Sequence, residues 1–293
     1  MTKQFKADLA LLLVTVVWGS TFVITKNLLK DIPTYNFLAV RFLIAFIFSS
    51  IVFYKNFFNI DKNTIKYGVI IGIVLFIGYA LQTVGLNYTT ASKSGFITGF
   101  SVVIVPLLSA IMFRKLPSLS IIVGVALALI GLGLMTLDSS LIPNIGDFYT
   151  LIAAIFFALH IILVGKYTVN VNSINLAIIQ IGVVGFLSLL FSLSTENFII
   201  PSTTNTWVGI LITSILATSG AFIVQNTMQK FTSATHTALI YTGEPVFSAI
   251  FAFMLIGERM STKAIFGSML ILCGMILGEI KLDLKKIIIK PEN

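Results

Sequence analysis

The chain has 293 residues, of which 57% are hydrophobic and only 10% charged, with one cysteine and a net charge of +8. A water-soluble domain of this size does not hide that much apolar surface, so bilayer lipid is the expected solvent for most of it. The lone Cys273, expected to be buried in the last apolar stretch, excludes a disulfide framework and any cysteine-based metal site.

Ten stretches are long enough to cross about 30 Å of hydrocarbon as helices. In chain order they lie near 8–28, 34–54, 66–88, 92–113, 119–137, 147–166, 174–194, 207–228, 233–256 and 263–280. The connections are short and carry most of the Pro, Asn, Asp and Lys, which leaves no room for a separate soluble domain. The first stretch runs into Trp18-Gly19-Ser20-Thr21-Phe22 with no small-x-small cleavage site, so it is expected to stay as a span.

The distribution of charge argues against nucleic acid as a partner. With the N-terminus inside, thirteen basic residues sit at cytoplasmic ends, among them Lys55, Arg114, Lys115, Lys166 and Lys230. Five, namely Lys26, Lys30, Lys93, Arg259 and Lys263, sit outside, and Arg41 lies within a span. That bias predicts a multi-pass protein of the cell membrane with both termini in the cytoplasm. The basic tail at 281–293 reads as an anchor beside anionic lipid.

The second half repeats the first. At a shift of 139, Asp8 falls on Asp147, Thr21 on His160, Asn36 on Asn175 and Arg41 on Gln180. After the longer Ser194–Thr206 connection the shift is 143, and Gln82 falls on Gln225, Thr89 on Thr232, Ser101 on Glu244, Ser118 on Ser261, Gly124 on Gly267 and Gly131 on Gly274. The repeats are expected at 8–137 and 147–280. Five spans per repeat force the second copy to enter the membrane upside down, the arrangement of a carrier with one central site and two alternating openings. The glycines, seven apart on each helix, mark faces for close packing. Gly131-Leu132-Gly133 lies mid-span with no strand before it, so it is not a nucleotide loop.

Trp18-Gly19-Ser20-Thr21-Phe22 with Lys26, then Arg41-Phe42-Leu43, resemble the opening of an EamA domain. Thr89-Thr90-Ala91-Ser92-Lys93-Ser94-Gly95-Phe96-Ile97, followed by Pro106-Leu107-Leu108, resembles its fourth helix. Glu244-Pro245-Val246-Phe247 and Gly257-Glu258-Arg259 stand in the second copy. The whole chain is similar to the EamA branch of the drug/metabolite transporter superfamily. The resemblance implies an all-α, ten-helix inverted-repeat carrier that moves amino acids, amines or related metabolites, often outward. The chain departs from equal halves at Arg114-Lys115 against Gly257-Glu258, and at Trp18-Gly19 against Phe157-Ala158.

Polar side chains at membrane depth are costly unless they face a bundle interior or water, so they are the candidates for function. Glu244 falls near the middle of its span and is the candidate for proton coupling. Beside it Pro245 leaves the carbonyl of Tyr241 without its helical partner, as Pro106 does for Val102, so both prolines are expected as helix breaks. Gly95 and Gly99 are further expected flexible points. Arg41 either snorkels to the headgroups or meets an anionic group inside. Gln82 belongs to the outer half, and Gln180, Gln225 and His160 to the inner half, as two gates around a central site would require. His160 either titrates or serves as a hydrogen-bonding residue. Trp18, Tyr79, Phe100, Phe222 and Tyr241 stand beside these positions, and Ser101 is the mate of Glu244. With Thr21 they complete the expected cavity, whose aromatic faces suit an amine.

An enzyme would need a nucleophile with its base, or paired acids on adjacent helices, and the chain offers neither. Two distant histidines make no metal site, and no cofactor is expected. The reading is a secondary carrier whose partners are a small-molecule substrate, the lipid bilayer and protons. A receptor or scaffold without transport, and an importer of the same fold, are the alternatives. Monomer and homodimer both remain open.

Overall fold

The computed structural model describes residues 3–112, 119–136 and 144–279, and their regular structure is helical throughout. The tail from residue 281, Arg114-Lys115 and Ser118 lie outside the described residues. The elements run α1 Lys3–Leu28, α2 Thr34–Val52, a 3-10 turn Tyr54–Asn59, α3 Lys62–Leu86, α4 Ala91–Gly99, α5 Ser101–Met112 and α6 Leu119–Thr136. The second half holds α7 Ile145–Tyr167, α8 Ser173–Thr195, α9 Thr204–Leu211, a π-helical stretch Ile212–Gly220, α10 Ala221–Met228 and a 3-10 turn Gln229–Phe231. It ends with α11 Ala234–Ile240, α12 Gly243–Ile256 and α13 Thr262–Glu279. Among the described residues eight segments are long and apolar enough to cross a membrane, and α6 and α13 add two shorter apolar helices. Two spans are broken: α4 continues into α5, and α11 into α12.

Local chemistry sets the helix ends. Asp61, Thr90, Asn144, Asn172, Thr203 and Ser233 each accept a backbone N–H from the first turn of the helix that follows. At the end of α12, Gly257 takes φ 64°, which lets Glu258 N–H reach back to Ala252 O at 3.2 Å. That closure satisfies carbonyls the helix would otherwise leave open. Apolar side chains such as Leu13, Ile51, Leu193, Phe266 and Met254 face outward, where lipid replaces water as their solvent.

The packing follows the repeat. Gly182 and Gly185 of α8 lie against Phe46 and Leu43 of α2, so the second span of each half meets its counterpart antiparallel. Gly95 and Gly99 of α4 lie against Ser248 and Pro245 of α12, again antiparallel. Gly131 of α6 meets the backbone at Gly267 and Ile271 of α13, and Gly274 of α13 meets Gly124 and Ala128 of α6. All four repeat-matched glycines therefore share one interface, where each lets a facing backbone approach. Like spans meeting antiparallel is what a two-fold axis in the membrane plane produces.

Three expectations change. Cys273 is exposed rather than buried, because α13 turns its glycine face to α6 and so presents Cys273 to the lipid side. The interruptions fall at Phe100 and at Tyr241-Thr242, upstream of the prolines, and α5 runs on through Pro106. Pro245 crowds the carbonyl four residues earlier, so its distortion appears one turn upstream, whereas the break at Phe100 directly follows Gly99 and lies too far from Pro106 for that clash. Finally, Tyr241 O does find a donor, the Glu244 N–H at 3.0 Å, in a tighter turn.

Candidate functional site

A cavity lined by residues of both halves lies between them. From the first half Trp18, Thr21 and Phe22 of α1, Leu75, Tyr79 and Gln82 of α3, and Thr98 and Ser101 at the α4–α5 junction line it. From the second half come Phe157, His160 and Ile161 of α7, Phe222 and Gln225 of α10, and Tyr241 and Glu244 at the α11–α12 junction. At the shifts of 139 and 143 these are seven repeat pairs: 18 with 157, 21 with 160, 22 with 161, 79 with 222, 82 with 225, 98 with 241, and 101 with 244. Only Leu75 stands without its mate. The two-fold axis thus passes through the cavity, and the chain breaks at both junctions give Ser101 and Glu244 to it.

The wall is aromatic and fixed. Trp18 Nε1 donates to Ala217 O at 2.9 Å, a carbonyl presented by the π-helical stretch, and its ring lies 5.2 Å from Tyr241 and 5.5 Å from Phe222. Tyr79 meets Phe157 edge-on at 5.3 Å. Gln82 Nε2 donates to Thr98 Oγ1 at 2.9 Å, and Thr21 Oγ1 donates to Trp18 O at 2.7 Å. Gln225 Nε2 donates to Gln229 Oε1 at 3.4 Å, and Gln229 in turn donates to Ile161 O. Glu244 is the eleventh of the 23 residues in Ala234–Ile256, and its carboxyl has no hydrogen-bond or ion-pair partner among the described residues. Among the described residues no lysine or arginine lines the cavity.

Three residues expected at the wall stand behind it. Gln180 bonds His160 Nε2 through Oε1 at 2.7 Å; since that oxygen only accepts, the imidazole carries its proton on Nε2. Phe100 is buried among Phe96, Val103 and their neighbours in the apolar core. Arg41 is 2% exposed, so it does not snorkel, and no carboxylate among the described residues pairs with it. Its Nε donates to Thr218 Oγ1 at 2.8 Å, while the guanidinium lies 5.0 Å from Tyr79 and 5.3 Å from Phe42. Ring faces and a hydroxyl hold the cation, in place of either the headgroups or the anionic partner that were the two expectations. Conversely Phe22, Leu75, Thr98, Phe157 and Ile161 line the cavity without having been predicted. For Thr98 and Phe157 the repeat carried the signal, because they are the mates of Tyr241 and Trp18.

Helices long and apolar enough to cross a bilayer, set around an internal cavity, define a multi-pass membrane protein. The profile of the EamA-like transporter family matches residues 5–137 and again 144–278. An uncharacterized transporter of Archaeoglobus fulgidus is 35% identical over 280 residues, covering 95% of this chain and 87% of its own. The uncharacterized transporter YoaV of Bacillus subtilis is 21% identical, over 96% of this chain and 99% of its own. A solved crystal structure aligns with 97% of this chain and 99% of its own at TM-score 0.72 and 15% identity, a likeness of fold. The chain belongs to the EamA-like transporter family and is a membrane transporter.

Proposed function

We propose that this transporter is a secondary carrier that exports small amine-bearing metabolites from the cytoplasm in exchange for protons, by alternating access around the cavity. The observation that carries the reading is the wall of seven repeat pairs, because a site on the two-fold axis presents matching surfaces to both openings. The pairs match in position more than in chemistry, and the difference between Ser101 and Glu244 leaves a single carboxyl in the wall. A carboxyl at this depth is costly to hold as a bare anion, so an ammonium group and a proton compete for it. Trp18, Tyr79, Phe157, Phe222 and Tyr241 offer ring faces to a cation. A carboxylate would find no facing cation, since Arg41 stands behind Tyr79, and this favours amines over amino acids.

The bias of basic residues supports a cytoplasmic location for the end of the bundle where α1 begins. The protein has two tryptophans, and Trp207 donates to Pro201 O away from the cavity. In a Trp207→Phe variant the fluorescence of Trp18 therefore reports on the site. Titration with alkylamines is expected to change that emission saturably, while carboxylates of the same size leave it unchanged. Saturable binding of carboxylates with none of amines would overturn the substrate class. Loading from the outside only, in flux assays on oriented vesicles, would overturn the direction.

A further inference from the structure

The two ends of the helix bundle carry the same polar trio in repeat register, in two different conditions. At the end opposite the start of α1, the far end, Asp147 of α7 is 4% exposed. It accepts from Thr89 Oγ1 and faces Lys93 Nζ of α4 at 3.4 Å. The mates lie at the near end: Asp8 for Asp147, Thr232 for Thr89, and His236 for Lys93, the last two at the same shift of 143. There Asp8 is 30% exposed and lies 3.3 Å from His236 Nε2, while the buried Thr232 Oγ1 has no partner. The same hydroxyl that closes the far trio is idle in the near one.

Three further asymmetries point the same way. Gly85 and Gly146 let the far ends of α3 and α7 touch backbone to backbone, where their mates are Met228 and Ala7. Lys26 Nζ donates to Leu86 O at 2.8 Å and to Thr89 O at 2.5 Å, pinning the far turn onto α1, and its mate is Gly165. In keeping with both, α3 packs on α7 more extensively than its counterpart span, Thr204–Phe231, packs on α1.

We propose that Asp147 with Thr89 and Lys93, and Asp8 with Thr232 and His236, are the two gates of the transport cycle, latched in turn. This rests on the carrier reading above. The structure holds the far gate latched by hydroxyl and cation together, and the near gate more loosely, with Asp8 met by His236 alone and the Thr232 hydroxyl unengaged. In the opposite state Thr232 donates to Asp8 while Thr89 and Lys93 let go of Asp147. These are positioning residues, since none of them lines the cavity; they act by fixing which opening exists. The stronger far latch makes the described conformation the resting one, with the cavity reached from the near end.

Amide hydrogen exchange on the protein in nanodiscs tests the assignment without labels. Asp147→Asn is expected to speed exchange at 85–93 and 144–150 by about tenfold or more, the loss of a charge-assisted hydrogen bond. It is also expected to slow exchange at 5–12 and 229–237, because opening one gate closes the other. Lys93→Met, at a partly exposed side chain, is expected to do the same with less risk to folding. Asp8→Asn is expected to slow exchange at the far end. Unchanged exchange at both ends in Asp147→Asn and Lys93→Met would overturn the assignment, as would faster far-end exchange with an unaltered near end. If exchange is unchanged while the wild type still carries proton-driven amine flux, the gates are wrong and the carrier reading stands. If the wild type shows no such flux, the carrier reading itself fails.

Discussion

Placing one methyl group on Gly274 tests the interface that joins the fifth and tenth spans. A Cβ there would stand 2.5 Å from Gly124 O and 2.9 Å from Ala128 N, well inside ordinary contact, which begins at 3.4 Å. The obstacle is backbone, so no side chain can rotate away, and α13 must back off α6 by about 1 Å, forfeiting a quarter to a half of the dispersion attraction across the gap. These two helices form the most extensive pairing in the molecule, so the loss is spread over many contacts. Overpacking of this kind costs about 1–3 kcal/mol. At roughly 2–4 °C per kcal/mol for domains approaching this size, Gly274→Ala should lower Tm by about 5 °C. Gly131→Ala should match it, since the two glycines exchange roles across the axis. Gly220→Ala is the milder comparison, because its nearest obstacle, Ile215 O at 3.3 Å, has to give by only a few tenths of an ångström. Thermal unfolding in detergent, followed by size-exclusion chromatography, reads all three. A Gly274→Ala protein as stable as the wild type would refute the close antiparallel contact of α6 with α13.

Two other perturbations have definite signs. Gln180→Leu leaves His160 Nε2 without its acceptor, which should cost about 1–3 kcal/mol, whereas His160→Phe with Gln180→Leu removes both polar groups and should recover part of that loss; equal Tm for the single and double variants would count against the pair. Outside the spans, Thr64 Oγ1 at 2.5 Å and Thr64 N–H at 2.8 Å hold the Asp61 carboxyl below the usual carboxylate range. A depressed native value means the cap contributes above the unfolded value and is lost as pH falls through the native one. Amide exchange at 61–66, corrected for its intrinsic pH dependence, should therefore rise on acidification in the wild type and stay flat in Asp61→Asn; a flat wild-type profile would contradict the cap.

Much of this architecture was legible because the repeat constrains it. Unbroken apolar runs mark the spans, and matched glutamines and glycines set the register that later brought the cavity pairs together. Which face of a span meets protein was harder to read. In lipid both faces of a helix are apolar, so periodicity no longer separates inside from outside. That is why Cys273 turned outward, and why Phe100 and Gln180 lie one layer behind the wall. Arg41 misled for a different reason. Its anchors are ring faces and Thr218, and Thr218 is brought to it by a π-helical stretch that has no signature in Ile212–Gly220 beyond small and hydroxylated residues. The interruption at Tyr241-Thr242 follows from Pro245 one turn downstream, while the one at Phe100 falls beside Gly99, one of the expected flexible points, rather than at Pro106.

The most direct test of the account is amine flux driven by a pH gradient in proteoliposomes, compared between the wild type and Glu244→Gln. The exchanged group is close to isosteric and neutral, so packing at the α11–α12 junction is kept while the carboxyl is lost. The account predicts gradient-driven flux in the wild type and a loss of at least about tenfold in the variant, the effect of removing one charge-assisted contact. Equal flux with equal pH dependence in the two proteins would contradict it.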